Sequence, residues 1–146
     1  MLPDILPEYE FTVLSTVYDE VRTVRKQLDN QIYFLKNIRK EAFCPKGDML
    51  REYAVLVSKY GRGESACMAY CRFTRNVIGS SNLRDIRDYC SEQNIVYLTT
   101  IDFLYYAYVR KLMTLSECKE FIETVRRKGS KLPDTDLERY VPEFDI

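Results

Sequence analysis

The chain has 146 residues, 46% hydrophobic and 30% charged, and its 22 basic side chains balance 22 acidic ones. That size suits one domain with one core, and the composition excludes a disordered or low-complexity chain and a repeat array. Histidine is absent and the five cysteines are an odd number, which excludes Ser-His and Cys-His nucleophiles and mixed Cys/His zinc sites, and speaks against a disulfide framework.

The opening "MLPDILPEYE" lacks the basic start and apolar core of a signal peptide, and no run reaches the roughly 18 apolar residues of a membrane span. The expectation is a cytoplasmic protein without membrane contact. "EFTVLS" (10–15) reads as a short strand on its Phe, Thr and Val content. Thr16 with Asp19 resembles a capping box. Val17, Val21, Val24, Leu28, Ile32, Leu35 and Ile38 then recur at spacings of three and four, which predicts one long amphipathic helix. Pro45 and Gly47 break the chain, and a second helix is expected over about 48–60, ending at Gly61. A largely buried helix follows over about 64–74, with apolar residues most of the way round. "NVIGS" (76–80) predicts a buried strand, Asn82 the cap of a helix to about 93, and "IVYL" (95–98) a further strand. Thr99 or Thr100 opens the next helix, and Thr114 with Glu117 caps a last one ending at Gly129. Strands alternating with helices imply parallel pairing and an α/β layered fold spanning residues 1–146, with 131–146 as an acidic tail.

The charges are segregated along the chain. Residues 1–20 carry five acids and no base, and 132–146 five acids and one base. Residues 21–51 carry eight bases against three acids, and 59–87 six against two. A positive face toward a polyanion is one reading, scattered solvated faces the other.

In open α/β folds ligands gather at the carboxyl ends of strands. That rule selects Glu20 after the first strand, Ser80, Ser81 and Asn82 after the second, Thr99 and Thr100 after the third, and Glu64 at the Gly-x-Gly turn. Glu20 lies at the border of the apolar stripe, and Glu64 has Met68 and Cys71 on its helix face. A carboxylate held against apolar neighbours needs a partner, such as a divalent cation, although a first-turn Glu is also favoured by the helix dipole alone. Asp19 and Asp85 read as caps. Cys67 and Cys71, four apart on one face, form either a thiol pair or buried packing. "LYYAYV" (104–109) offers tyrosines either for base stacking or for a half-buried helix.

Taken in order, "TVYDEV" (16–21), "GRGESACMAYCR" (61–72), "VIGSSNLRDIRDYC" (77–90) and "IVYLTTIDFLYYAYVRKLMT" (95–114) resemble a PIN-like domain over about residues 5–130. The resemblance implies a layered fold with a short parallel sheet flanked by helices. It also implies a Mg²⁺- or Mn²⁺-dependent ribonuclease, often the toxin half of a toxin-antitoxin pair, so that RNA and an antitoxin-like protein become the expected partners. Glu20 matches the helix carboxylate of the pattern and Glu64 its Gly-Glu carboxylate. Two elements depart from it. The family's first strand and its aspartate fall before residue 1, and the acidic pair is replaced by Ser80, Ser81 and Asn82, with Asp85 the nearest acid. Two acids in place of three or four imply weak metal binding and reduced or absent cleavage. The alternative is a non-catalytic RNA- or protein-binding module on the same scaffold, and the missing strand implies exposed sheet edges suited to a homodimer.

Overall fold

The computed structural model describes residues 2–81, 83–144 and 146. A single helical turn, α1 (Leu2–Ile5), precedes β1 (Phe11–Leu14), α2 (Ser15–Glu20), α3 (Arg25–Asp29) and a π-helical turn over Asn30–Phe34. Then come β2 (Ile38–Glu41), α4 (Asp48–Val57), α5 (Arg62–Thr74), β3 (Ile78–Gly79), α6 (Leu83–Gln93), β4 (Tyr97–Leu98), α7 (Thr100–Val109) and α8 (Leu115–Arg127).

The alternation of strand and helix produces the expected mixed α/β chain with parallel pairing. Among the described residues the strands form two separate sheets of two, β1 with β2 and β3 with β4. Phe11 aligns with Ile38 and Leu14 with Glu41 in the first, and Ile78 with Tyr97 in the second.

The single long helix expected from residue 16 to 38 is not formed. The backbone turns extended at Val21 (φ −71°, ψ 125°), and Val24 and Leu35, placed on the apolar stripe by their spacing, are 53% and 58% exposed. Val21, Thr23 and Val24 are β-branched and weak helix formers, and Ile38–Glu41 supplies the ladder that β1 needs for its backbone groups. Polar ties then hold the broken pieces together. The Arg25 guanidinium donates to the carbonyls of Tyr18 (2.6 Å) and Val21 (3.1 Å), satisfying the end of α2 as a C-terminal base does. The Tyr18 hydroxyl donates to Asp29 Oδ1 at 2.6 Å. The Thr16–Asp19 capping box is also not formed, because the helix already begins at Ser15, whose Oγ accepts from the Phe43 N–H (2.9 Å).

Gly61 does not close the second helix, which stops at Val57. It stands extended (φ −62°, ψ 159°) in front of α5 instead. The later caps form as their chemistry dictates. Thr99 with Asp102, and Thr114 with Glu117, make reciprocal capping boxes, and Gly129 adopts φ +93° just beyond α8.

Helix α5 is the hub, packing on α4, α2, α6, β1 and β3. Its Met68 and Ala69 are fully buried in a cluster with Leu56, Ile78, Ile86 and Tyr97. A second cluster joins Ile101, Leu104, Cys118 and Ile122 to Leu137, so the acidic tail folds back against α7 and α8. Phe144 of the same segment meets the Tyr97 ring edge-on at 5.0 Å.

Candidate functional site

The first turn of α5 brings two of the expected residues together. Glu20, at the end of α2, accepts through Oε1 from the Gly63 N–H at 3.3 Å, although 43 residues separate them. Glycine leaves room for that approach, since a Cβ at position 63 would stand 2.5 Å from Glu20 Oε2 and 3.4 Å from a Val17 methyl and would push the carboxylate aside. Glu64 is the next residue, half-buried in the same turn. Cys67, one turn further on, reports both acids: burial foremost, then the charges of Glu20 and Glu64, push its thiol up to about 11. Beside them Ser65 is wholly buried and its Oγ has no partner among the described residues.

Among the described residues no group of three or more His, Cys, Asp or Glu is placed to hold a metal ion. Two carboxylates do suit a hydrated Mg²⁺, which keeps most of its waters and uses one or two protein carboxylates. They do not make a closed cage, and Glu20 already spends one oxygen on Gly63.

Ser80, Ser81 and Thr100 lie elsewhere, together on the wall of a cleft of about 720 Å³ that Glu20 and Glu64 do not line. The cleft runs between β1 and β3. Its walls include Phe11, Val13, Val77, Leu98 and Phe103, and Glu10 is its one charged lining residue. The expected residues therefore divide between an acid pair on α5 and a hydroxyl set in an apolar cleft. Asp85 sits in the first turn of α6, half-buried. Asn82 lies outside the described residues.

The thiols of α5 and α6 do not suit nucleophilic work. Burial pushes Cys71 up to about 12 and Cys90 up to about 11, so both are protonated at neutral pH. The tyrosines of "LYYAYV" pack rather than reach for bases. Tyr106 is buried, and the Tyr105 ring lies 5.3 Å from Tyr106 and 5.6 Å from Tyr140. Several bases of the positive segments are paired, Arg72 with Glu52 at 2.5 Å and Arg39 with Glu10 and Glu41.

Sequence reasoning missed Asp102, which is 4% exposed. Its Oδ2 accepts from the Thr99 N–H (2.8 Å) and hydroxyl (3.1 Å), and its Oδ1 from the Tyr140 hydroxyl (2.5 Å), whose pKa is raised by burial and then by this carboxylate. The T-x-x-D spacing at 99–102 is the signal that marks it. Gly63 as the seat of Glu20 and Glu10 as the charge on the cleft wall were also missed, and neither has a local signal.

No family model, curated protein or solved structure matches the chain. Among the described residues no helix is long and apolar enough to cross a membrane.

Proposed function

We propose that the chain is a PIN-like domain of the divalent-metal-dependent ribonuclease type with a depleted acid site, in which Glu20 and Glu64 carry what cation affinity remains. The observation that supports this reading is the convergence of those two carboxylates, 44 positions apart in sequence, on the first turn of α5, where Gly63 makes room for Glu20. A Mg²⁺ or Mn²⁺ ion held there would supply Lewis-acid activation of water and offset charge on an RNA phosphate. The chain's own part is to hold two carboxylates at a helix start whose N–H groups add a positive field. With two acids, affinity falls to the order of millimolar and cleavage is slow or absent, so binding RNA outweighs cutting it.

The test is calorimetric titration of Mn²⁺ into the protein beside Glu20→Gln and Glu64→Gln. Weak saturable binding that either substitution abolishes supports the reading. Binding that survives both, or no binding to the unaltered chain, overturns it.

A further inference from the structure

The helix that leads into β2 ends in Tyr33, Phe34 and Leu35, three consecutive large apolar side chains that stand in solvent, with Phe34 82% exposed. From Arg25 to Phe34 only Gln31 is buried, so this helix has little core of its own. Its π-helical turn holds an extra residue, which rotates the side chains that follow off the face a continuous α-helix would give them. The backbone nevertheless closes. The Leu35 N–H bonds to the Asn30 carbonyl and the Asn37 N–H to that of Gln31, both at 3.0 Å, and Lys36 takes φ +54° as the chain turns toward β2. The apolar side chains therefore sit on a formed apex before anything covers them.

Bases surround this apex. Residues 21–40 include Arg22, Arg25, Lys26, Lys36, Arg39 and Lys40 against a single acid, Asp29, which accepts from the Tyr18 hydroxyl. Arg39 is paired with Glu10 and Glu41, and Lys40 Nζ stands 3.9 Å over the Tyr18 ring. Among the described residues no ion pair involves Lys26 or Lys36, and both are exposed. Lys36 directly follows the apolar triplet, and helical rise puts Lys26 roughly 10 Å behind Phe34.

From this apolar apex and its basic collar we propose that the π-helical tip docks on an anionic lipid surface, with Phe34 and its two neighbours entering the acyl boundary and Lys26 and Lys36 meeting lipid phosphates. Such contact needs no membrane span, because a peripheral tip reaches only about 5–10 Å into the interface and is held there by apolar burial together with nearby bases. The expectation of no membrane contact considered only a span and a leader. Geometry separates the lipid from other polyanions. Consecutive residues on a helix point about 100° apart, so Tyr33, Phe34 and Leu35 offer no common platform for stacked bases, and Leu35 has no π-face. A fluid surface closes round side chains that fan outward. Charge disfavours a second copy, since a two-fold contact at the tip would set Lys26 and Lys36 against themselves.

The probe is a vesicle of equimolar phosphatidylcholine and phosphatidylglycerol, cosedimented with the full chain beside vesicles of phosphatidylcholine alone. Binding to the anionic vesicles is expected, at least about tenfold weaker on the neutral ones and weakened to a similar extent by Phe34→Ser combined with Leu35→Ser. Lys26→Glu combined with Lys36→Glu should weaken it as well. A urea midpoint close to that of the unaltered chain shows that each variant is folded. The chain contains no Trp, so Phe34→Trp supplies a single reporter whose emission should shift to the blue on anionic vesicles and be quenched by brominated acyl chains. No vesicle binding, equal binding to both vesicles, binding that survives the double serine variant, or unshifted Trp emission overturns the proposal. A labelled oligouridylate whose binding is lost in Phe34→Ser overturns it in favour of RNA, and self-association in sedimentation that Phe34→Ser removes overturns it in favour of a second copy. None of these readouts involves Glu20 or Glu64, so failure here and failure of the Mn²⁺ titration are separate results.

Discussion

The two sheets make the same connection, strand to helix to parallel strand, and hold it by different means. Between β1 and β2 the buried residue is Gln31 alone, and the crossover ends in Tyr33, Phe34 and Leu35, exposed by 55%, 82% and 58%. Between β3 and β4 the crossover helix α6 buries Ile86, Tyr89 and Cys90, and both residues of β4 are buried. The poorly covered sheet has the longer ladder, four aligned pairs against two, and adds the Tyr18–Asp29 and Arg25 ties. Packing and backbone pairing thus substitute for each other within one chain: where apolar burial is plentiful, two-residue strands suffice.

The sharpest way to break this comparison is to remove packing from the well-covered half. Met68→Ala, in the centre of α5, should cost about 2–5 kcal/mol through lost burial and the cavity left behind, read as a lower urea midpoint at constant slope. A loss below 1 kcal/mol would mean that the contrast between the halves is false.

The next effect falls on the seam between α2 and α5. Gly63→Ala displaces the Glu20 carboxylate from its N–H, a loss of roughly 0.5–1.5 kcal/mol. The helix gains about as much from replacing glycine. The expected outcome is a stability change under about 1 kcal/mol, with Mn²⁺ binding weakened as in Glu20→Gln. A variant that keeps its cation affinity would separate the glycine's role from the acid pair.

The smallest effect sharpens the comparison from the other side. Phe34→Ser removes a large side chain that touches little and should change stability by no more than about 0.5 kcal/mol, measured by the same denaturation. A loss several times larger would show that the π-helical tip is part of a core.

What could be read from the sequence was the local chemistry. The Thr114–Glu117 box, Gly129 beyond α8 and the strand at 78–79, of which Ile78 is buried and Gly79 exposed, follow from side chains within a few residues of one another. The stripe from Val17 to Ile38 misled because periodicity records which residues share a face on a hypothetical helix, not whether the helix continues. Ile38 fits that stripe and also opens β2, and only the distant β1 decides between them. Of the candidate site, Glu20 and Glu64 were legible as residues but their meeting was not, because it depends on Gly63 approaching from 43 positions away. Of the cleft only Ser80, Ser81 and Thr100 were legible, from their places after the strands; the rest of its walls come from separate elements that share no spacing. Nor did the division of four strands into two sheets.

The burial of the cysteines gives the molecule a simple surface chemistry. Cys71, Cys90 and Cys118 are sealed in the core, Cys67 is half-covered with its thiol pushed up to about 11, and Cys44 stands exposed in the turn before α4. A chain with five thiols therefore behaves toward an alkylating reagent almost as a single-cysteine protein. Its one ready handle lies just beyond β2, so a dye or spin label placed there reports on the lightly packed half without a single engineered residue.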